Sequence, residues 1–225
     1  MTPVIINLEP PDETDLAFLL FERLGYHHSP IPEKIRQLAK SSIRAALTHV
    51  VPKAIYNIET VTQITDSHII TDNLKIKSQS WSGMLKSATG TIRIASFALT
   101  LGENLDTEIK KAGTASLSQS YFLFETGSVI IETIANRVEK MIARRQRWGH
   151  LKASRRFSPG YCDIPLSLQV NLMAFLSVQK IGLHVKPSGA MLPEKSITAI
   201  TVYTNDLPFR SPCRICNNTK CGYRR

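Results

Sequence analysis

The sequence predicts an α+β fold. One domain, residues 1–210, carries a twisted, largely antiparallel sheet with flanking helices, and a short Cys-rich basic tail, 211–225, follows it. Three observations carry this prediction. Two segments of helical periodicity, 12–24 and 32–51, precede the first β-branched alternating run at 53–65. Residues 117–146 sustain a broad apolar face over the length of a long helix. Helices and strands do not alternate regularly, and the chain has neither a strand-linked Gly-x-Gly-x-x-Gly nor a P-loop. A doubly wound sheet binding dinucleotides or nucleoside triphosphates is therefore disfavoured.

Taken in order, residues 1–11 read as an extended lead-in containing Pro3, Pro10 and Pro11. Asp12 or Thr14 caps a helix that runs to Leu24 and stops at Gly25, with Leu16, Leu19, Leu20, Arg23 and Leu24 on one face. His27 and His28 follow as a loop-surface pair. Pro32 starts a second helix, with Glu33 in its first turn and Ile35, Leu38, Ala39, Ile43, Ala46 and Leu47 as its stripe. Residues 53–65, 68–71 and 74–77 form an antiparallel meander turning at Asp66-Ser67. A short helix, 80–88, carries Trp81, Met84 and Leu85. A strong strand follows at 91–100, then a charged helix at 103–111. Residues 117–146 read as one long helix or two, with Gly127 as the place of any kink or split. Pro165 opens a helix to about 180, with Leu166, Val170, Met173, Ala174, Leu176 and Ser177 inward. Strands at 181–185 and 196–203 close the domain.

At 225 residues and 43% hydrophobic content, the chain can bury a sizeable core. No apolar run reaches the roughly 18 residues that span a bilayer. The first fifteen residues hold acids and no Lys or Arg, the wrong sign for a signal peptide, so a cytoplasmic protein is expected. The net charge of +10 is concentrated. Residues 137–156 hold eight Lys/Arg against one Glu, and residues 210–225 hold five and no acid. Such patches attract nucleic acid, an acidic protein or an anionic ligand.

Arg156-Phe157-Ser158-Pro159-Gly160-Tyr161-Cys162-Asp163 concentrates the most specific chemistry. Arg156 offers a fork of donors to a carboxylate or phosphate. Pro159 fixes a dihedral, Gly160 admits positive φ and close backbone approach, and Tyr161 presents a flat apolar face with a polar tip. Glu132 lies on or beside the apolar face of the long helix, where a carboxylate needs a partner. Cys213, Cys216 and Cys221 form Cys-x-x-Cys-x4-Cys, a spacing suited to one zinc ion or an iron–sulfur cluster, with Cys162 as a candidate fourth ligand. A disulfide framework is disfavoured in a chain of this size and expected location.

Arg156-x-x-Pro159-Gly160-Tyr161 resembles the signature of the activation domain of cobalamin-dependent methionine synthase. Arg23-Leu24-Gly25-Tyr26, Thr100-Leu101-Gly102, Pro165-Leu166-Ser167-Leu168-Gln169 and Lys195-Ser196-Ile197-Thr198 are similar to pieces of its short, stand-alone members, as is the cysteine tail. The resemblance runs from about residue 15 to the C-terminus. It implies a curved domain with a central twisted antiparallel sheet. It also implies binding of S-adenosylmethionine to support reductive methylation of cob(II)alamin. Arg156 is then implied to hold the methionine carboxylate, and the backbone around Ser158 and Gly160 to contact the adenosine. Tyr161 is implied to wall the pocket towards the corrin. An acidic residue of the long helix, Glu132 with Glu125 and Glu139 as alternates, is implied to complete the site.

No Asp-x-His-x-x-Gly cobalamin motif is present. The implied cobalamin therefore arrives on a separate corrinoid protein or a split methionine synthase. The basic segment 137–156 is suited to an acidic flavodoxin-like or ferredoxin-like electron donor. Cys162-Asp163 stands where the family has Pro-Ala, and Ala199 where it has Gly. A different class also fits the charge: a basic nucleic-acid-binding protein with a zinc-knuckle-like tail. Against it stand an aromatic content of 7% and the absence of the usual aromatic RNA-binding motifs. A metal or cluster carrier that binds no S-adenosylmethionine is a third reading.

Overall fold

A computed structural model describes residues 2–27, 29–208, 210 and 211. Its centre is a five-stranded, wholly antiparallel sheet. The strands are β1 (Val4–Asn7), β2 (Lys53–Thr60), β6 (Arg93–Thr100), β10 (Ser196–Thr204) and β7 (Lys152–Ala153), adjacent in that order. The lead-in is thus an edge strand, because Val4–Asn7 finds a partner in β2. The single strand expected over 53–65 is broken: Lys53–Thr60 joins the central sheet, and only β3 (Gln63–Ile64) pairs with β4 (His68–Ile70) and β5 (Lys75–Lys77) in a separate small sheet. A two-stranded ribbon, β8 (His184–Val185) with β9 (Met191–Leu192), completes the strands.

Alternation along the central strands divides the core into two layers. Ala54, Tyr56, Ala95, Phe97, Leu99, Ala199 and Tyr203 face the first layer. It contains α1 (Glu13–Arg23), α2 (Glu33–His49), α4 (Glu103–Ala115) and α5 (Leu117–Arg145). Ile55, Ile94, Ala98, Ile200 and Val202 face the second layer, which holds the small sheet, α3 (Gln79–Lys86) and α6 (Leu168–Leu176). Trp81 and Met84 of α3 and Leu172 and Leu176 of α6 are fully buried there.

Of the one or two helices read over 117–146, the chain forms one, α5, without a split at Gly127. Gly127 is there because a Cβ would meet Leu105 at 2.9 Å and the Lys195 side chain at 3.2 Å, so close packing demands it. The helix opened by Pro165 is shorter: α6 starts at Leu168, ends at left-handed Ser177, and a 3-10 turn spans Val178–Ile181. Its face shifts with it. Leu168, Leu172, Met173 and Leu176 point inward, whereas Leu166 and Val170 are exposed. Among the described residues, no helix is long and apolar enough to cross a membrane.

Candidate functional site

The signature runs beside β10 as an irregular continuation of β7. Phe157 and Ile200 exchange backbone hydrogen bonds of 3.0 and 2.8 Å, and Ser154 N–H donates to the Val202 carbonyl at 2.9 Å. This strand-like backbone sends neighbouring side chains to opposite layers. Phe157 packs edge-on against buried Trp81 of α3, with ring centroids 5.7 Å apart. Arg156 crosses to α5.

On α5, Glu132, Asn136 and Glu139 share one face at helical spacing, and Arg156 engages all three. Its Nη1 donates to Asn136 Oδ1 and Glu139 Oε2, each at 2.6 Å, and its Nη2 donates to Glu132. Thr201 of β10 donates to the other Glu139 oxygen at 2.9 Å. Arg156 and Glu132, both singled out from sequence, are therefore in direct contact. Of the three candidate acids, Glu132 and Glu139 both contact Arg156, while Glu125 pairs with Arg23. Two carboxylates face one guanidinium, giving the cluster a formal charge of −1. Burial, with the Glu139 charge adding to it, pushes the Tyr203 phenol upward.

Beyond Phe157 the chain turns tightly. Gly160 N–H donates to the Ile164 carbonyl at 2.9 Å, and Tyr161 N–H to the Ser158 carbonyl at 3.1 Å. Gly160 has φ +92°, a conformation that L side chains rarely adopt. The Ser158 hydroxyl donates to the Thr198 carbonyl. Thr198 Oγ1 donates to buried Gln169 at 2.9 Å. Ser196 and Lys195 in turn contact Thr100 and Leu101. Four separated sequence pieces thus meet at one end of the sheet. Tyr161 is exposed beside them.

Asp163 fastens the bend to α3. Its carboxylate accepts from Ser78 Oγ and, at 2.9 Å, from Ser80 N–H at the start of that helix. Desolvation pushes this carboxyl up, but the hydrogen bonds from Ser78, Ser80 and the Cys162 thiol outweigh it and hold it below the usual range. The departure at Cys162-Asp163 therefore has a local structural use. Cys162 itself is half-buried with φ +56°. Among the described residues no group of three or more metal-ligand side chains occurs. Cys213, Cys216 and Cys221 lie outside the described residues, as does His28.

A second cation, not anticipated as a site residue, leans on α5 further towards its N-terminus. Lys195 is 6% exposed. Its stem passes over Gly127, and its amine donates to Ser128 at 2.9 Å and sits 3.0 Å from the Phe124 ring centroid. Burial lowers its pKa to about 8, against the raising influence of Glu125, with Arg23 lowering it further. Asp106 Oδ2 accepts from Glu194 N–H at 2.6 Å, and desolvation pushes the carboxyl up. The signal for Lys195 was its place in the Lys-Ser-Ile-Thr piece. The signal for Asn136 and Glu139 was their helical spacing from Glu132.

No family model matches this chain. No curated protein matches it either. Among solved structures it is similar to the MetH reactivation domain bound to AdoHcy. The TM-score is 0.64 at 12% identity, and the match covers 94% of this chain and 80% of that one. A likeness at that identity establishes a shared fold.

Proposed function

We propose that this chain binds S-adenosylmethionine at the Arg156 bend and supports reductive methylation of cob(II)alamin carried by a separate corrinoid protein or methionine synthase. The observation that carries the reading is the union of Arg156 and Glu132 beside the bend, in a fold shared with a domain whose structure holds AdoHcy. The residues suit the ligand. S-adenosylmethionine bears a sulfonium, an ammonium and a carboxylate, a formal charge of +1, which complements the −1 of the cluster. Arg156 donates through Nη1 and Nη2 to three α5 side chains. A guanidinium has five N–H donors, so some remain for the ligand carboxylate. Glu132 is half exposed and can face a cationic group. Tyr161 supplies an exposed wall. When bound, S-adenosylmethionine supplies the methyl group; the chain's own work is to hold it in position.

The basic end of α5 serves partner docking in this reading. Arg137, Lys140, Arg144 and Arg145 make no ion pair among the described residues. They present positive charge to an acidic electron donor. Isothermal titration with S-adenosylmethionine tests the site. Wild-type protein binds, Arg156→Ala loses at least about tenfold in affinity, and Glu132→Gln narrows the preference for S-adenosylmethionine over uncharged-sulfur AdoHcy. Unchanged affinity in Arg156→Ala would remove the assignment.

A further inference from the structure

A groove open to solvent between α1 and α2 has a volume of about 390 Å³, and none of its lining residues belongs to the signature, α6 or β10. That volume lies within the roughly 300–1,000 Å³ usual for small-ligand sites. Half-buried Ala17 and Phe21 of α1 form its apolar wall, above Ala39 and Ile43 of α2, which are already buried in the core.

The polar groups are unevenly arranged. Arg36, Lys40 and Arg44 line one bank at one-turn intervals along α2, and Glu13 and Thr14 line the other. Glu13 receives Arg44 Nε at 3.1 and 3.2 Å through its two oxygens, which neutralises that end. Arg36 directs Nε to the Ile31 carbonyl at 3.1 Å and forms no ion pair among the described residues. Lys40 is exposed and likewise forms none among them. One end of the cavity is therefore neutral, and the other places two uncompensated cations over an apolar interior.

We propose that this groove binds a small organic anion: a carboxylate or phosphate head on a short apolar chain or ring. The head lies between Arg36 and Lys40, where the guanidinium provides forked donors and the ammonium a point charge. The apolar body lies against Ala17 and Phe21. This site is independent of the S-adenosylmethionine reading, and either can fail alone.

Two-dimensional amide NMR of the full chain tests it with octanoate, octyl phosphate and octylammonium. Either anion shifts signals confined to residues 13–21 and 36–44, and octylammonium leaves them in place. The double variant Arg36→Ala/Lys40→Ala weakens octanoate about tenfold or more. Both side chains are exposed, so the fold is retained. Ala17→Leu fills the interior and produces the same loss with the cations present. An equal response to octylammonium, shifts elsewhere, unaltered affinity in the double variant, or no response to either anion overturns the proposal. Phosphatidylglycerol vesicles that perturb these signals when both free anions fail would assign the groove to a lipid surface and overturn it as well.

Discussion

The two faces of the central sheet are built by different means. The first layer is covered by four helices, and α5 alone contributes eleven buried residues along 29. The second is covered by a three-stranded sheet, two short helices and the signature bend. On the first face, order comes from regular periodicity, and each helix buries a stripe. On the second, order comes from particular contacts: Trp81 on Phe157, Asp163 on the start of α3, and Gln169 on Thr198. The site straddles the two, with Arg156 reaching into the helical layer and Phe157 anchored in the other. A ligand held by Arg156 is therefore positioned from both sides of the sheet.

If the second face depends on particular contacts, Trp81→Ala should give the largest effect. A fully buried indole and its edge-on contact are lost, at a cost of about 3–5 kcal/mol. Urea denaturation measures the loss, and S-adenosylmethionine titration should show weakened binding although no Arg156 partner has changed. Wild-type binding in a folded Trp81→Ala protein would break the claim that both faces position the bend.

The helical face conceals a charge cost at Lys195. With a folded pKa near 8 against 10.5, the unfolded chain holds the extra proton between those values. Stability therefore rises from pH 8 to 10.5, by up to about 3 kcal/mol, and the burial penalty is fully present below pH 8. Lys195→Met should remove that rise in pH-dependent denaturation. A slope identical to wild type would place the cost elsewhere.

The smallest effect sharpens the contrast by its sign. Helix propensity alone makes Gly127→Ala stabilising by about 1 kcal/mol. The added Cβ, at 2.9 Å from Leu105 and 3.2 Å from Lys195, makes it destabilising by about 1–3 kcal/mol instead. A raised melting temperature would show that the first face is as forgiving as its periodicity suggests.

Legibility in the sequence followed the same division. The spans of α1, α2 and α5, and the stripe Ala39, Ile43 and Ala46, were readable because helical periodicity is local and repeats many times. The β-branched alternation of 53–65 marked strand, but not the break after Thr60 that sends Lys53–Thr60 to the central sheet and leaves Gln63–Ile64 to the small one, because that division depends on distant partners. The face of α6 was misplaced because its nine residues are apolar almost throughout, so periodicity gives little direction. Val4–Asn7 was read as extended but not as a strand, since nothing local identifies β2 as its partner. At the site, Arg156, Glu132, Ser158 and Gly160 were named from the chain. Their mutual contacts were not.

What the sequence determined by itself was the α+β class, the helical layer, and a bend rich in an arginine, a glycine and a tyrosine. Tertiary structure alone decided that Arg156 lies between Glu132 and Glu139, that Asp163 fastens the bend to α3, and that Gly127 makes room for Lys195, the residue before β10. The physical reason is range. Periodicity and turn chemistry are set within a few residues, whereas ion pairing and close packing join groups tens of residues apart, and only the folded chain fixes which of several acids an arginine meets.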